Sequence, residues 1–300
     1  MWRTAAIRLR SARAVSLRNA AMCKHTAVSG ETAVSSGAVG AQSTLIRWAV
    51  MPWAFFIGEN VVLSHNRTEI IAMLGNDEGA YHGLYNAVST VACASLGFGY
   101  FFRVRASPPA RTVSTLACVG GFALQLAGMA GLAQALPRVR LPVVSQPVGV
   151  ESSPDAAPGR QWVARCPMEF KSDAQNVTSP DGLHGMQRVS RHPMLMSLGA
   201  VGLGSALAST SVPQAVWLLG PAVMACVGGA HIDYRRRRGI GGTLTPEEER
   251  VTSLLPFIAM ASGAHQEGPL GSLHSLLAEG KAENALLGAL LALRLALRRA

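Results

Sequence analysis

The feature that most limits how this chain can fold is "TVSTLACVGGFALQLAGMAGLAQAL", residues 112–136, which holds no charged side chain and ends just before Arg138 and Arg140. A membrane-crossing helix needs about 20 mainly apolar residues, and this stretch supplies them. Similar runs lie around it: "WAVMPWAFFIGENVVL" (48–63), "NAVSTVACASLGFGYFF" (86–102), "MLMSLGAVGLGSALASTSV" (194–212) and "QAVWLLGPAVMACVGGAHI" (214–232). The last two are joined only by Pro213 and predict a tight helical hairpin. Charged residues make up 15% of the 300-residue chain, against about a quarter in soluble domains. The expected fold class is therefore all-α, a polytopic transmembrane helix bundle of about five to six membrane helices. Gly, Ala and Ser recur along the runs, as small residues do where helices approach closely in lipid.

The formal charge of +10 raises the question of nucleic acid. The arginines cap apolar runs instead of gathering on one polar face, and no nucleic-acid module is legible. The five cysteines are scattered without a C-x-x-C pair, which indicates neither a disulfide framework nor a zinc site. No nucleophile elbow, P-loop or dinucleotide fingerprint is present.

Residues 1–44 read as an organellar transit peptide and spacer. Arg3, Arg8, Arg10, Arg13 and Arg18 stand among Ala and Ser with no acid before Glu31, and there is no continuous apolar core of the secretory kind. Its arginine content favours the mitochondrion slightly over the plastid. Residues 45–265 form the membrane domain, interrupted by a polar linker at 141–182 rich in Pro, Ser and Asp. Asn176-Val-Thr178 matches a glycosylation sequon that an organellar protein would not use. "LTPEEER" (244–250) predicts a helix start capped by Thr245. "SLLPFIAMASGA" (253–264) is short enough for a half-helix, and residues 266–300 predict a C-terminal interfacial helix.

Threading the runs alternately through a membrane sorts the arginines. Arg67, Arg138, Arg140, Arg188, Arg191, Arg250 and the run Arg235–Arg238 fall on one face, against Arg47, Arg103, Arg105 and Arg111 on the other. The positive-inside rule turns the first face toward the matrix or stroma. His65, His82, His192 and His231 all fall on that same face.

His192 precedes Pro193, so it is expected to be the last extended residue before a helix. The helix dipole and the nearby Arg188 and Arg191 disfavour its protonation. A neutral imidazole of this kind can ligate a metal, and the arginines can pair with anionic groups such as haem propionates. Equally, His192 can be a plain helix cap with arginines anchoring it at the head groups. His65 admits the same two readings, axial ligand or interfacial polar residue. His231, beside Asp233 and the arginine run, reads as an anchored helix end. Glu59, an acid inside an apolar run, is expected either to face the bundle interior or to sit shallowly in a broken helix.

"GLHGMQRVSRHPMLMSLGAVGLG", followed by "GPAVMACVGGAHIDYRRRRG", resembles the NnrU family, which includes the 15-cis-zeta-carotene isomerases. The shared pattern is a Gly-Leu start, R-H-P at a helix mouth, a tight hairpin and D-x-R-R after the next span. "LSHNRTEIIAMLGNDEGAYHGLYNAVS" resembles the family's first-helix histidine segment. The resemblance covers roughly residues 48 to 265. It implies an integral membrane protein binding haem b through His65 and His192, with Arg188 and Arg191 beside the cofactor. The implied activity is cis–trans isomerisation of a carotenoid. The alternative is a non-catalytic subunit of a mitochondrial inner-membrane, respiratory complex that keeps the fold without the haem. Expected partners are membrane lipid, a carotenoid substrate or other membrane subunits, and no nucleic acid.

Overall fold

The computed structural model describes residues 36–136 and 181–299, with four short strands between them at 138–139, 143–147, 160–164 and 168–169. The basic leader, the sequon and most of the linker lie outside the described residues.

The chain is an all-α helical bundle. Helix α1 (Ser36–His65) is followed by a short α2 (Arg67–Met73) and by α3 (Glu78–Gly99), which continues through a π turn over Tyr100–Val104. Next come α4 (Thr115–Gln134), α5 (Pro193–Leu207) and α6 (Val212–Arg237). The short α7 (Pro246–Val251) and α8 (Ile258–Ala261) lead to α9 (Gly268–Glu279) and α10 (Ala282–Arg299). Where the linker was expected to be a loop, β1 (Arg138–Val139) pairs with β4 (Met168–Glu169) and β2 (Val143–Pro147) with β3 (Arg160–Ala164), both antiparallel.

Among the described residues three helical stretches are long and apolar enough to cross a membrane: Glu78–Val104, Thr115–Gln134 and Val212–Arg237. Pro193–Leu207 is apolar but shorter. The described residues of this membrane protein thus hold three such helices, where the sequence led us to expect five or six. Charge accounts for part of the difference, because α1 carries Arg47 and Glu59. Large apolar side chains such as Met51, Phe101, Leu116 and Val119 point outward, as they do toward lipid.

Side by side, the long helices pack in the order α3, α1, α6, α5, α4, α10. Glycine sets the closeness of these pairs. A Cβ on Gly128 of α4 would lie 2.6 Å from the Ser197 carbonyl of α5, and one on Gly202 of α5 would lie 2.7 Å from the Leu218 carbonyl of α6. Such backbone approach is how helices associate in lipid. The α5–α6 hairpin turns at 208–211. There Arg111 Nε donates to the Ser209 carbonyl at 2.7 Å and Arg111 Nη2 donates to the Ala206 carbonyl. A residue expected as a membrane anchor therefore also satisfies the orphan carbonyls at the end of α5.

Two boundaries differ from expectation. Helix α1 begins at Ser36, inside the expected spacer, and runs without interruption past Pro52. The C-terminal segment is not one interfacial helix. It breaks at Gly280, and α10 docks on α4, burying Asn284 and Ala292. Asn284 Nδ2 donates to the Ala133 carbonyl at 2.9 Å and also to that of Leu136. Carbonyls at the end of α4 thus hold α10 in the bundle.

Candidate functional site at the arginine-rich end

The ends of α1 and α6 and the start of α5 meet at one end of the bundle, as the arginine distribution implied. At φ −121° and ψ 65°, the cap residue His192 is neither helical nor extended, the conformation expected before Pro193, and Pro193 occupies the first turn of α5. The Ser190 hydroxyl accepts from the His192 N–H at 3.1 Å and donates to the Leu254 carbonyl at 2.7 Å, fixing the turn.

His192 is buried, and its Nε2 lies 2.8 Å from Oδ1 of the buried Asp233. A carboxylate only accepts, so Nε2 carries the proton and donates. The other oxygen, Oδ2, accepts from Arg191 Nη1 at 2.5 Å. Arg191 is then completed by Thr252: Nε donates to its hydroxyl at 2.9 Å and Nη2 to its carbonyl at 3.0 Å. Asp233 thereby joins the mouth of α5, the end of α6 and the segment after α7.

Arg188, whose side chain is wholly buried, forms a second lock. Its Nη2 lies 2.8 Å from Glu279 Oε1 and its Nη1 lies 3.2 Å from Glu267 Oε2. Glu279 also accepts from the Gly185 N–H. Burial alone would raise the Glu279 carboxyl's pKa. The Arg188 hydrogen bond, the Gly185 N–H and the charge of Arg188 outweigh burial and hold the carboxyl below its ordinary range. The Arg188 guanidinium moves the opposite way: burial lowers it, and Glu279 more than compensates.

His65 lies elsewhere. Its ring stacks on Tyr234 at 5.9 Å and sits 6.0 Å from the His231 ring. His231 Nε2 is 2.7 Å from the Ser64 hydroxyl, a contact that reading it as an anchored helix end did not foresee. On α6, His231 and Asp233 point to opposite sides, since two residues turn a helix by about 200°, and Tyr234 lies about 100° from Asp233. Glu59 does face the interior. Its Oε1 accepts from the Ser89 hydroxyl at 3.0 Å and from Asn60 Nδ2, while its buried Oε2 has no hydrogen-bond partner among the described residues.

Two cavities adjoin this end. A polar one of about 580 Å³ is bounded by Arg191, Arg236, Thr245, Glu248 and Thr252. An apolar cleft of about 590 Å³ is bounded by Gly131, Met186, Val189, Met194, Phe257 and Leu277. Neither is lined by His65 or His192. Among the described residues no three His, Cys, Asp or Glu side chains converge to hold a metal ion.

These placements bear directly on haem. Axial ligation by two histidines needs one ring nitrogen on each face of the porphyrin. Here His65 and His192 meet different residues of α6, and both arginines are already paired with carboxylates; a His192 ring that donates Nε2–H to Asp233 keeps Nδ1 as its nitrogen for a metal. So paired, Arg188 and Arg191 are not free to meet haem propionates. Asp233 and Glu279 are the residues that sequence reasoning missed. Asp233 did carry a signal, being an acid at the end of an apolar span; Glu279 carried none. Comparison with family models, curated proteins and solved structures found no match for this chain.

Proposed function

We propose that this chain is an integral membrane protein of NnrU-like type that serves as a non-catalytic subunit of an organellar, mitochondrial inner-membrane complex. The observation that carries the reading is the internal saturation of the Arg-His-Pro block: His192 and Arg191 share Asp233, and Arg188 is held by Glu279 and Glu267. A block so paired serves to bind α5, α6 and the C-terminal segment to one another. The basic, acid-free leader supports an organellar address, and the outward apolar side chains support lipid and neighbouring subunits as partners.

The resemblance also implies a haem b-dependent carotenoid isomerase, and one experiment separates the two readings. The protein is purified after expression with haem supplied, alongside His65→Ala and His192→Ala. The subunit reading expects no Soret band in any of the three. A stoichiometric Soret band in the parent that is lost in both variants overturns it in favour of the isomerase. Native electrophoresis of the organellar membrane then tests for a stable larger assembly.

A further inference from the structure

The arginines at the membrane end are unequal. Arg188, Arg191, Arg237 and Arg250 each have an acidic partner: Glu279 with Glu267, Asp233, Glu249 and Glu247 respectively. The Arg235 side chain makes no hydrogen bond or ion pair among the described residues, and its Nε is buried without a partner. Arg67 also has a buried, unpartnered Nε. Its one acid, Glu78, is 3.5 Å from Nη2 and largely exposed. A buried polar donor without a partner costs about 1–3 kcal/mol, and more when it belongs to a charged group. Two of them in one corner call for a missing acceptor.

Both arginines belong to the same corner. Arg67 lies two residues past His65 and 5.6 Å over the Tyr81 ring, and Tyr81 is 6.2 Å from Tyr85. Arg235 lies within electrostatic range of Tyr85 and His231, and its neighbour Tyr234 stacks on His65. The corner sits where the Glu78–Val104 span begins and the Val212–Arg237 span ends, the level of phospholipid head groups. Val62 of α1, Met73 of α2, Leu74 just after it and Leu84 of α3 are exposed on the elements around Arg67. Guanidinium groups recognise phosphate oxygens through paired N–H donors. Basic pockets between membrane helices on the matrix side take anionic head groups.

We propose that Arg67 and Arg235 form a phosphate site for an anionic phospholipid, whose acyl chains lie along the exposed apolar residues of α1, α2 and α3. The site does not depend on the non-catalytic reading above, because a haem-binding chain would carry the same two arginines.

The test is native mass spectrometry of the full chain in mild detergent, titrated with phosphatidylglycerol or phosphatidylcholine. The parent is expected to retain phosphatidylglycerol and release phosphatidylcholine. The R67Q/R235Q double variant is expected to lose about thirtyfold in affinity, from roughly fivefold per arginine near a charged lipid surface. R237Q/R250Q, which removes paired and exposed arginines, should stay within twofold of the parent. Should the double variant not fold, the half-exposed Arg67 alone is the readout, with a loss of about fivefold expected for R67Q. Unchanged affinity in R67Q, or equal retention of phosphatidylcholine, overturns the proposal. So does displacement of the lipid by millimolar inorganic phosphate, which would assign the site to the free anion.

Discussion

Replacing Glu279 by Gln isolates the contribution of the Arg188 lock. The Arg188 side chain is 0% exposed and that of Glu279 4%, so neither charge is screened as a surface pair would be. Glutamine preserves the shape and one acceptor, but it leaves a buried guanidinium with Glu267 alone, which is 22% exposed and 3.2 Å away. Removing one partner of a buried pair costs about 3–5 kcal/mol, against about 0–1 kcal/mol for a surface pair. Unfolding by a denaturing detergent in mixed micelles, read by tryptophan fluorescence, measures the difference. Arg188→Met combined with Glu279→Leu is expected to recover much of the loss, since it removes both charges together. The pair also fixes a pH signature. The Glu279 carboxyl is depressed in the folded chain, so its contribution is complete above its unfolded pKa of about 4.3 and is lost as pH falls through the lower folded value. The parent should therefore hold its stability from pH 7 to about 5 and lose this contribution below about pH 4, while E279Q lacks that component of the acid loss. A loss under about 1 kcal/mol in E279Q, or an unchanged acid profile, would show that Arg188 is satisfied without Glu279 and refute the lock.

The helix contacts and caps give two further outcomes. Gly128→Ala places a methyl 2.6 Å from the Ser197 carbonyl and 2.7 Å from Val201 Cγ2. It should cost about 1–3 kcal/mol by overpacking in the same mixed-micelle assay, whereas Gly120→Ala, with open space around it, should not. Thr245→Ala removes the hydroxyl that accepts from the Glu248 N–H at 3.1 Å. It should cost about 1 kcal/mol, read as faster hydrogen exchange at Glu248 with little change in global unfolding.

How much of this was legible in advance depends on the range of the interactions involved. The apolar runs gave the helices of the bundle, because burial in lipid or protein demands them locally. The Thr245 cap and the helix start at Pro193 were legible for the same reason, each being decided within four residues. The arginine asymmetry placed His65, His192 and His231 at one end, and they lie there. For Glu59 the sequence left open a shallow place in a broken helix, and Pro52 and Asn60 also interrupt the apolar pattern of α1. The helix is continuous because Glu59 and Asn60 find Ser89 and Tyr85 on α3, partners that no local rule supplies. The docking of α10 is longer in range still. Asn284 reaches the Ala133 carbonyl across 151 residues, so its leucine-rich pattern alone suggested an interfacial helix.

The candidate site turned on the same distinction. A histidine between an arginine and a proline reads as a chemically available ring, since proline holds it extended and the arginines favour its neutral form. What the ring then does is set by an acid 41 residues away. With Asp233 at 2.8 Å, the imidazole donates Nε2–H to a carboxylate that Arg191 already holds, and the three groups neutralise one another inside the bundle. Buried charge is tolerated only when paired and hydrogen-bonded, and Asp233 meets that condition through Arg191 and His192. The Arg-His-Pro pattern is therefore compatible with a ligand or with a lock. In this chain the registers of α5 and α6, with glycine contacts such as Gly202 against the Leu218 carbonyl, bring the acid to the ring.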